Sequence, residues 1–557
     1  MPELSIVIPT RNRVGRLRAC LESLSRQTVP RAAVELVVVD DGSRAETREM
    51  ITALQLPIPL RLVRCEGVGA GPARNAGARE ALAPLCLFLD DDVVAAEGLI
   101  AAHLAAHEAR EDIIVVLGRI DRALVRGAGR FARYRHREWV DHFEGLAKGR
   151  VPTFRDCYGA NLSVSRTVLL EVGGFPSLPV ENDLDLGYRF ARRGLDFVYV
   201  DDARVTEDHR EALREVVADA EARGGVSLML YEQYPEILPE LELGGRGELG
   251  GKWLALRRAC LVMRLPPTLV AALLALLPAG DRMRLAYRFL FSYCYWRGVR
   301  SAVPDRDTWR RISRGVLILL YHAVDESGAH PSRFVIPLRR FERQMKWLVR
   351  RGYRAISLDE LLRLRRKNVL PAPRSIVVTF DDGYVDNTAL AAPLLERLGI
   401  PATIFLVSGT DGRSSWNVRE PLMGRRLLTL SEATTARSRL LGFGAHTRTH
   451  PRLTEVDSTA LGSEVAGSKS DLEEAFGEEV IGFAYPYGRH DERVRAEVAR
   501  AGFLGACTVE EGRNRPATDD YLLRRVEIYG TDSLLRFALS VWLGSAERPF
   551  SRRKGRR

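Results

Sequence analysis

Three short apolar runs in this chain each end abruptly in adjacent carboxylates. Residues 34–39 lead into Asp40 and Asp41, and residues 85–89 into Asp90, Asp91 and Asp92. Ile376, Val377 and Val378 lead through Thr379 and Phe380 into Asp381 and Asp382. The β-branched run Ile376, Val377 and Val378 suits a strand buried on both faces. A further run, opening at Leu441, ends in His446 and His450. Helical patterns lie between the runs, as in Leu17, Leu21 and Leu24. Alternation of strand and helix winds into a parallel sheet, and such sheets bind ligands beyond the carboxyl ends of their strands. The pattern therefore predicts an α/β fold with its acids and histidines gathered in clefts. At 557 residues the chain exceeds one ordinary core, so two or more domains are expected.

The region 375–450 carries the sharper chemistry. Asp-Asp-Gly by itself is a common turn, and His-x-x-x-His alone binds metal only in some contexts. Together, each closing a strand, they offer the carboxylate and imidazole set of a catalytic zinc, which keeps one position open for water. Thr379-Phe380-Asp381-Asp382-Gly383 and His446-Thr447-Arg448-Thr449-His450 resemble the first two motifs of the polysaccharide deacetylases, carbohydrate esterase family 4. The resemblance spans residues 315–528. It implies a distorted (β/α) barrel, Asp381 as catalytic base, and Asp382, His446 and His450 as ligands of zinc or a similar divalent metal. Phe483-Ala484-Tyr485-Pro486-Tyr487-Gly488 resembles the third motif, but Ala484 stands where the family often has the arginine that orients the base. Tyr487 can form a groove wall, and its backbone N–H can help to stabilise an oxyanion. The Leu-x-Leu-x-His of the fifth motif has no counterpart near 522–528. The general acid is therefore unassigned, with His322 and His490 as candidates.

The N-terminal half alternates strands at 4–9, 34–39, 60–64 and 85–89 with helices. The Gly-rich turn 67–71 lacks the spacing of a dinucleotide fingerprint. Its carboxylates instead suit a nucleoside and a divalent ion on a diphosphate, for which hard oxygen ligands favour Mg or Mn. Ser5-Ile6-Val7-Ile8-Pro9-Thr10-Arg11-Asn12, Val38-Val39-Asp40-Asp41-Gly42-Ser43 and Leu87-Phe88-Leu89-Asp90-Asp91-Asp92 resemble family 2 glycosyltransferases of the doubly wound GT-A fold. So do Gly159-Ala160-Asn161-Leu162-Ser163, Gly173-Gly174-Phe175 and the acidic segment from Glu181 to Arg189. The resemblance spans residues 3–235. It implies a nucleotide-sugar donor held by Thr10, Asn12, Asp40, Asp41 and Asp90, and a metal site at Asp90 and Asp92 completed by His209. It also implies Asp183 as the base that activates the acceptor. The usual Glu-Asp pair is Asn182-Asp183 here, so Glu181 stays open as an alternative base. The Gln-x-x-Arg-Trp motif of processive synthases is absent after His209, which points to addition of one or a few sugars.

Composition bounds the rest. The chain is 46% hydrophobic and 28% charged, as globular proteins are, with a net charge of +11 that includes the arginine-rich end 552–557. No aromatic–basic recognition motif accompanies this charge, so nucleic acid is not an expected partner; an anionic substrate or membrane surface explains it as well. The seven cysteines are scattered, which favours a reducing compartment over a disulfide framework. The first residues read as a strand rather than a signal peptide, and no apolar window is long enough to span a bilayer. A cytoplasmic protein is expected, in peripheral contact with the inner face of the membrane where anionic lipid draws it. The divisions expected are 1–243 for the transferase, 244–313 for a helical linker and 314–550 for the deacetylase. The linker mixes Arg with Leu, Phe, Tyr and Trp; it reads equally as a packed helical subdomain or as helices lying on a membrane. The combined expectation is a bifunctional enzyme that transfers a sugar to a glycan or lipid-linked acceptor and removes an acetyl group from an N-acetylated sugar. The alternative keeps the transferase and makes the C-terminal domain a carbohydrate-binding module with a decayed site.

Overall fold

The computed structural model describes residues 2–124, 128–207, 212–247, 249, 251–275, 281–327, 332–414, 416, 422 and 424–544. The chain forms two compact units. One holds residues 1–226 with 265–298, the other 227–264 with 299–557.

The first unit is built on eight strands: β1 (Leu4–Thr10), β2 (Val34–Asp41), β3 (Leu60–Cys65), β4 (Leu85–Leu89), β5 (Val93–Ala95), β6 (Ile114–Arg122), β7 (Asn161–Ser165) and β8 (Asp196–Glu207). Their order is β3-β2-β1-β4-β7-β6-β8-β5. The first four run parallel, and β7 lies antiparallel to both β4 and β6. Alternation along β1 explains why it is buried on both sides. Ile6 and Ile8 enter one core with Leu36 and Val38, while Val7 enters another with Val37 and Val39. The helix Ala70–Glu80 seats closely on the second face because Gly77 has no side chain. A Cβ there would stand 2.4 Å from Val7 Cγ1.

The second unit carries β9 (Leu317–Tyr321), β10 (Ala323–Asp325), β11 (Val335–Pro337), β12 (Arg354–Ala355), β13 (Ser375–Phe380), β14 (Ala402–Leu406), β15 (Leu441–Ala445), β16 (Gly482–Ala484), β17 (Gly505–Cys507) and β18 (Val526–Glu527). The main sheet runs β17-β16-β15-β14-β13-β9-β18, with β12 also paired to β13, and every pairing in it is parallel. This is the curled parallel sheet of helices and strands that the sequence leads one to expect. Register sets the site. Tyr321 pairs with Phe380, and Leu406 with Ala445, so His322, Asp381 and His446 emerge at one end of the sheet.

The segment expected as a linker is helical over Gly251–Met263, Pro267–Ala275, Asp281–Ala302 and Arg306–Arg314, and its helices divide between the two units. The aromatic residues that suggested a membrane surface are packed inward: Phe289, Tyr293 and Trp296 are buried. Among the described residues, no helix is long and apolar enough to cross a membrane. The seven cysteines are all unpaired, and all but Cys65 are buried.

Candidate active sites

In the second unit the chain turns sharply at the ends of the strands. Asp382, Thr447, His450 and Tyr487 all take left-handed backbone angles, with φ between 58° and 71°. Strain in non-glycine residues gathers where a site is over-determined by its surroundings. Here it aims Asp382, His446 and His450 at one point: one donor atom from each lies within 4.8 Å of the others, and all three side chains are buried.

The hydrogen bonds fix the chemistry of these donors. His446 Nδ1 lies 2.7 Å from the carbonyl of Ala484, to which it donates. The neutral ring then turns its Nε2 lone pair on Asp382 Oδ1 at 3.5 Å. His450 Nε2 stands 3.3 Å from the same oxygen. Lone pairs facing a carboxylate repel unless a cation lies between them. Ligands about 2.1 Å from a tetrahedral ion stand about 3.4 Å apart, so these separations fit a zinc-type ion. Tyr384 donates to the other oxygen of Asp382 at 2.9 Å and holds it in place. With no cation between them, the two imidazoles would have to donate to Asp382 instead; burial alone would raise this carboxyl, and that pairing holds it well below the usual carboxylate range.

Asp381 is a different kind of carboxylate. It is not a member of the donor set, and Arg525 grips it with two parallel bonds of 2.6 and 2.7 Å. Arg525 is fully buried, and its Nε donates to the carbonyl of Thr508. Burial pushes Asp381 up, yet Arg525, with His446 and His322 nearby, brings it below its ordinary value. The arginine missing at Ala484 is thus supplied from the start of β18. The sequence reading missed this residue; its one local signal was an arginine opening a short apolar run at a strand position.

His322 follows β9, lies within electrostatic reach of both Asp381 and Asp382, and packs its ring edge-on against Phe334. His490 does not share that position: its Nδ1 contacts the carbonyl of Gly488 and its ring tilts against Tyr485. Aromatic rings wall the entrance. Trp416 stacks on His450 with ring centroids 4.3 Å apart, and the half-exposed Tyr487 meets the same imidazole edge-on at 4.6 Å.

In the first unit, Thr10, Asp40 and Asp41, and Asp90 stand at the carboxyl ends of the adjacent strands β1, β2 and β4. Asp40 accepts from the backbone of Ser43, and Asp41 from the backbones of Val68 and Gly69. Asn12, at φ 59°, joins two loops by donating its backbone N–H to Ser43 and accepting from Arg44. Thr10 donates to Asp91 at 2.7 Å. The three acids of the second cluster differ in use. Asp91 and Asp92 are buried and bound by Arg13, with Arg16 also on Asp92, whereas Asp90 keeps some exposure. Burial, then Asp90 and Glu207, push Asp92 up to about 6. His209 lies outside the described residues.

Asp183 sits in the first turn of the helix Asn182–Arg192, partly buried, with Oδ1 shut away from solvent and lacking a hydrogen-bond partner. Burial raises its carboxyl, while Arg74 and the backbone of Gly159 partly counter this. Gly159 is required for that approach: a Cβ there would lie 2.9 Å from both Asp183 Oδ1 and the Arg74 guanidinium. Arg74 is buried, bonds Asp90 and lies within electrostatic reach of Asp183. It links Asp90 to the surroundings of Asp183, and the sequence reading passed over it because it lies in a helix noted for its glycines. Asn75, beside it, donates to the carbonyl of Phe175 and accepts from its N–H, fixing the segment Gly173-Gly174-Phe175.

One unit thus presents acids at the switch point of a wound sheet, the other a buried His-His-Asp set beside an arginine-held carboxylate. The two define a bifunctional carbohydrate enzyme. Residues 5–173 match the family model Glycosyl transferase family 2, and residues 369–506 match the family model Polysaccharide deacetylase. The chain therefore carries a domain of each family. It is 27% identical over 232 residues to the Bacillus subtilis (strain 168) protein YxkH, covering 41% of this chain and 78% of that one. It is 25% identical over 276 residues to a poly-beta-1,6-N-acetyl-D-glucosamine N-deacetylase of Staphylococcus aureus (strain MSSA476), covering 45% of this chain and 92% of that one. Over 120 residues it is 42% identical to a validoxylamine A glucosyltransferase of Streptomyces hygroscopicus subsp. jinggangensis (strain 5008), covering 21% of this chain and only 28% of that relative.

Proposed function

We propose that the two domains act on one cell-surface glycan or its lipid-linked precursor at the cytoplasmic face of the membrane. Residues 1–243 transfer a sugar from a nucleotide sugar with inversion, and residues 314–550 remove an acetyl group from an N-acetylated hexosamine, with 244–313 between them. Joining the two activities raises the local concentration of one product at the other site. The observation that carries the reading is Asp381, held bidentate by Arg525 beside Asp382, His446 and His450. A carbohydrate-binding module has no use for a buried base kept ionised next to a cation site, and this disfavours the decayed-domain alternative.

In the deacetylase, Asp382, His446 and His450 would hold a zinc-type divalent ion, which supplies positive charge to the amide oxygen and acidity to a water. Asp381 accepts the proton of the attacking water; Arg525 keeps its carboxylate ionised and oriented. His322 is the general acid that protonates the leaving amine, since it lies within electrostatic reach of both aspartates, while the His490 ring is held against Tyr485 and the carbonyl of Gly488. Trp416 and Tyr487 flank the sugar ring. In the transferase, Thr10, Asn12, Asp40 and Asp41 hold the nucleotide. Asp90 is the accessible carboxylate for a Mg or Mn ion, which such enzymes bind through one or two carboxylates plus substrate phosphates; Asp92 and His209 are further candidate ligands. Asp183 deprotonates the acceptor hydroxyl, and its lifted pKa suits a base. Glu181, at the left-handed turn before the helix, is the second candidate.

The test is a panel of nucleotide sugars incubated with the full-length protein and N-acetylglucosamine oligosaccharides. Nucleotide release and acetate release are followed by mass spectrometry. Release of acetate without any nucleotide product from the panel would leave only the deacetylase half standing.

A further inference from the structure

His446 and His450 are joined by a three-residue loop whose backbone is not helical. Thr447 and His450 take left-handed angles, with φ 69° and 62°. Such angles are costly for residues other than glycine and persist only where the surroundings over-determine them. Part of the hold comes from the neighbouring strand end. His446 donates its backbone N–H to the carbonyl of Leu406 at 2.8 Å, and the carbonyls of Thr447 and Arg448 accept from Ser408 and Gly409. The N–H of His450 donates to Thr447 Oγ1 at 2.9 Å. The remaining hold comes from the helix Ser458–Phe476. Glu464 Oε2 accepts from the backbone N–H groups of Arg448 and Thr449, both at 2.9 Å, and Oε1 accepts from the Thr449 hydroxyl at 2.5 Å. Further along the helix, Asp471 accepts from the Arg448 guanidinium at 2.8 and 2.6 Å and from the Ser408 hydroxyl at 2.7 Å. That guanidinium passes over Gly467, where a Cβ would stand 2.6 Å from its Cζ. Positions 464, 467 and 471 share one side of a helix. Docking of the helix rests on a different side, where Leu461, Val465 and Leu472 are buried in the main core.

We infer that Glu464 is a positioning residue for the metal site. By capturing the two N–H groups between the histidines, it sets the direction of the His450 ring and so the separation of the two imidazoles that face Asp382. The inference rests on the deacetylase reading above, in which Asp382, His446 and His450 are the ligands. A carboxylate suits the task because its two oxygens accept several bonds at once, and an ionised acceptor makes the stronger bond. Glu464 bonds none of the three ligands, so it acts only through the loop. Without it, the N–H groups of Arg448 and Thr449 lose their acceptor, and the left-handed angles at Thr447 and His450 lose part of their support. His450 is the ligand that moves, because His446 is fixed at the end of β15 by its bond to the carbonyl of Ala484.

The experiment titrates zinc into the full-length protein against a chromophoric chelator, scoring the site that His450→Ala lacks, and records the visible spectrum of the cobalt-loaded protein. Glu464→Ala is expected to bind zinc about 10- to 100-fold more weakly and to shift the cobalt bands, because the ligand geometry has changed. Glu464→Gln should regain most of the affinity and the wild-type spectrum: its amide oxygen still accepts from both N–H groups, and its NH2 can donate to the Thr449 hydroxyl. Lys469→Met is the control. Lys469 holds the same helix through Glu473 and the carbonyl of Val480, away from the loop, so its loss should lower the melting temperature and leave zinc affinity unchanged. Should Glu464→Ala not fold, Glu464→Asp carries the same expectation, since it keeps the charge and shortens the reach. A variant that melts lower without metal, yet binds zinc as tightly as the wild type with an unchanged cobalt spectrum, overturns the inference and leaves Glu464 a stabilising contact alone. A wild type with no zinc site beyond those of His450→Ala overturns the metal reading itself, and the inference with it.

Discussion

Replacing Arg525 by methionine tests the deacetylase site at its most specific contact. The guanidinium is fully buried, bonds both oxygens of Asp381 at 2.6 and 2.7 Å, and touches none of the three metal donors. Removing one partner of a buried ion pair costs about 3–5 kcal/mol, because the other charge is left unpaired in the interior. The variant should therefore be less stable by about that amount at pH 7.5, read by denaturant unfolding. Asp381 has a depressed pKa in the folded wild type, so the pair's contribution is present above the unfolded carboxylate pKa and is lost as pH falls through the folded value. The gap between wild type and variant should accordingly narrow toward acid. Without Arg525 the upward push of burial on Asp381 loses its largest offset, and the acid limb of acetate release should move to higher pH. A mislaid, partly protonated base should lower kcat by roughly 10²-fold or more, while metal content stays at the wild-type level. Arg525→Met combined with Asp381→Asn removes both charges; it should regain most of the stability and none of the activity. If Arg525→Met matches the wild type in stability and its acid limb stays in place, the assignment of Arg525 as the residue that holds the base is wrong.

Three further outcomes follow from the two sites. Asp183→Asn should keep nucleotide-sugar binding by calorimetry and lose transfer by roughly 10²- to 10⁴-fold; in the wild type the acid limb of transfer should lie above the ordinary carboxylate value of about 3.9, since burial raises Asp183. His450→Ala should lose bound metal, measured by elemental analysis, together with acetate release, whereas Asp381→Asn should lose acetate release alone. A fragment beginning at residue 314 should melt lower than one made of 227–264 joined to 299–557: Arg515 donates to the carbonyls of Leu243 and Ile312, and both acceptors go with the missing segment. Equal melting temperatures would show that segment to be dispensable.

How far these sites were legible depends on the kind of signal each residue leaves. Asp40, Asp90, Asp381 and His446 could be placed because an apolar run that ends in a polar residue marks a buried strand and its carboxyl end at once. Arg525 and Arg74 left no such mark. Each gains its role from register between distant segments: β18 lies beside β9, which lies beside β13, and this ordering brings a residue at 525 to one at 381. A strand of two residues, Val526–Glu527, has no period to detect. The helix Asp281–Ala302 was ambiguous for the opposite reason. Its mixture of Arg and aromatics fits a membrane surface and a packed core equally, and only tertiary packing buries Phe289, Tyr293 and Trp296.

The account's central claim is two separate catalytic centres in one chain. The direct test is to assay full-length wild type, Asp183→Asn and Asp381→Asn side by side for nucleotide release from the active donor and acetate release from an N-acetylglucosamine oligosaccharide. The account predicts that the wild type performs both reactions, that Asp183→Asn loses only transfer, and that Asp381→Asn loses only deacetylation. A wild type that releases no acetate, or an Asp381→Asn variant that deacetylates at the wild-type rate, would contradict it.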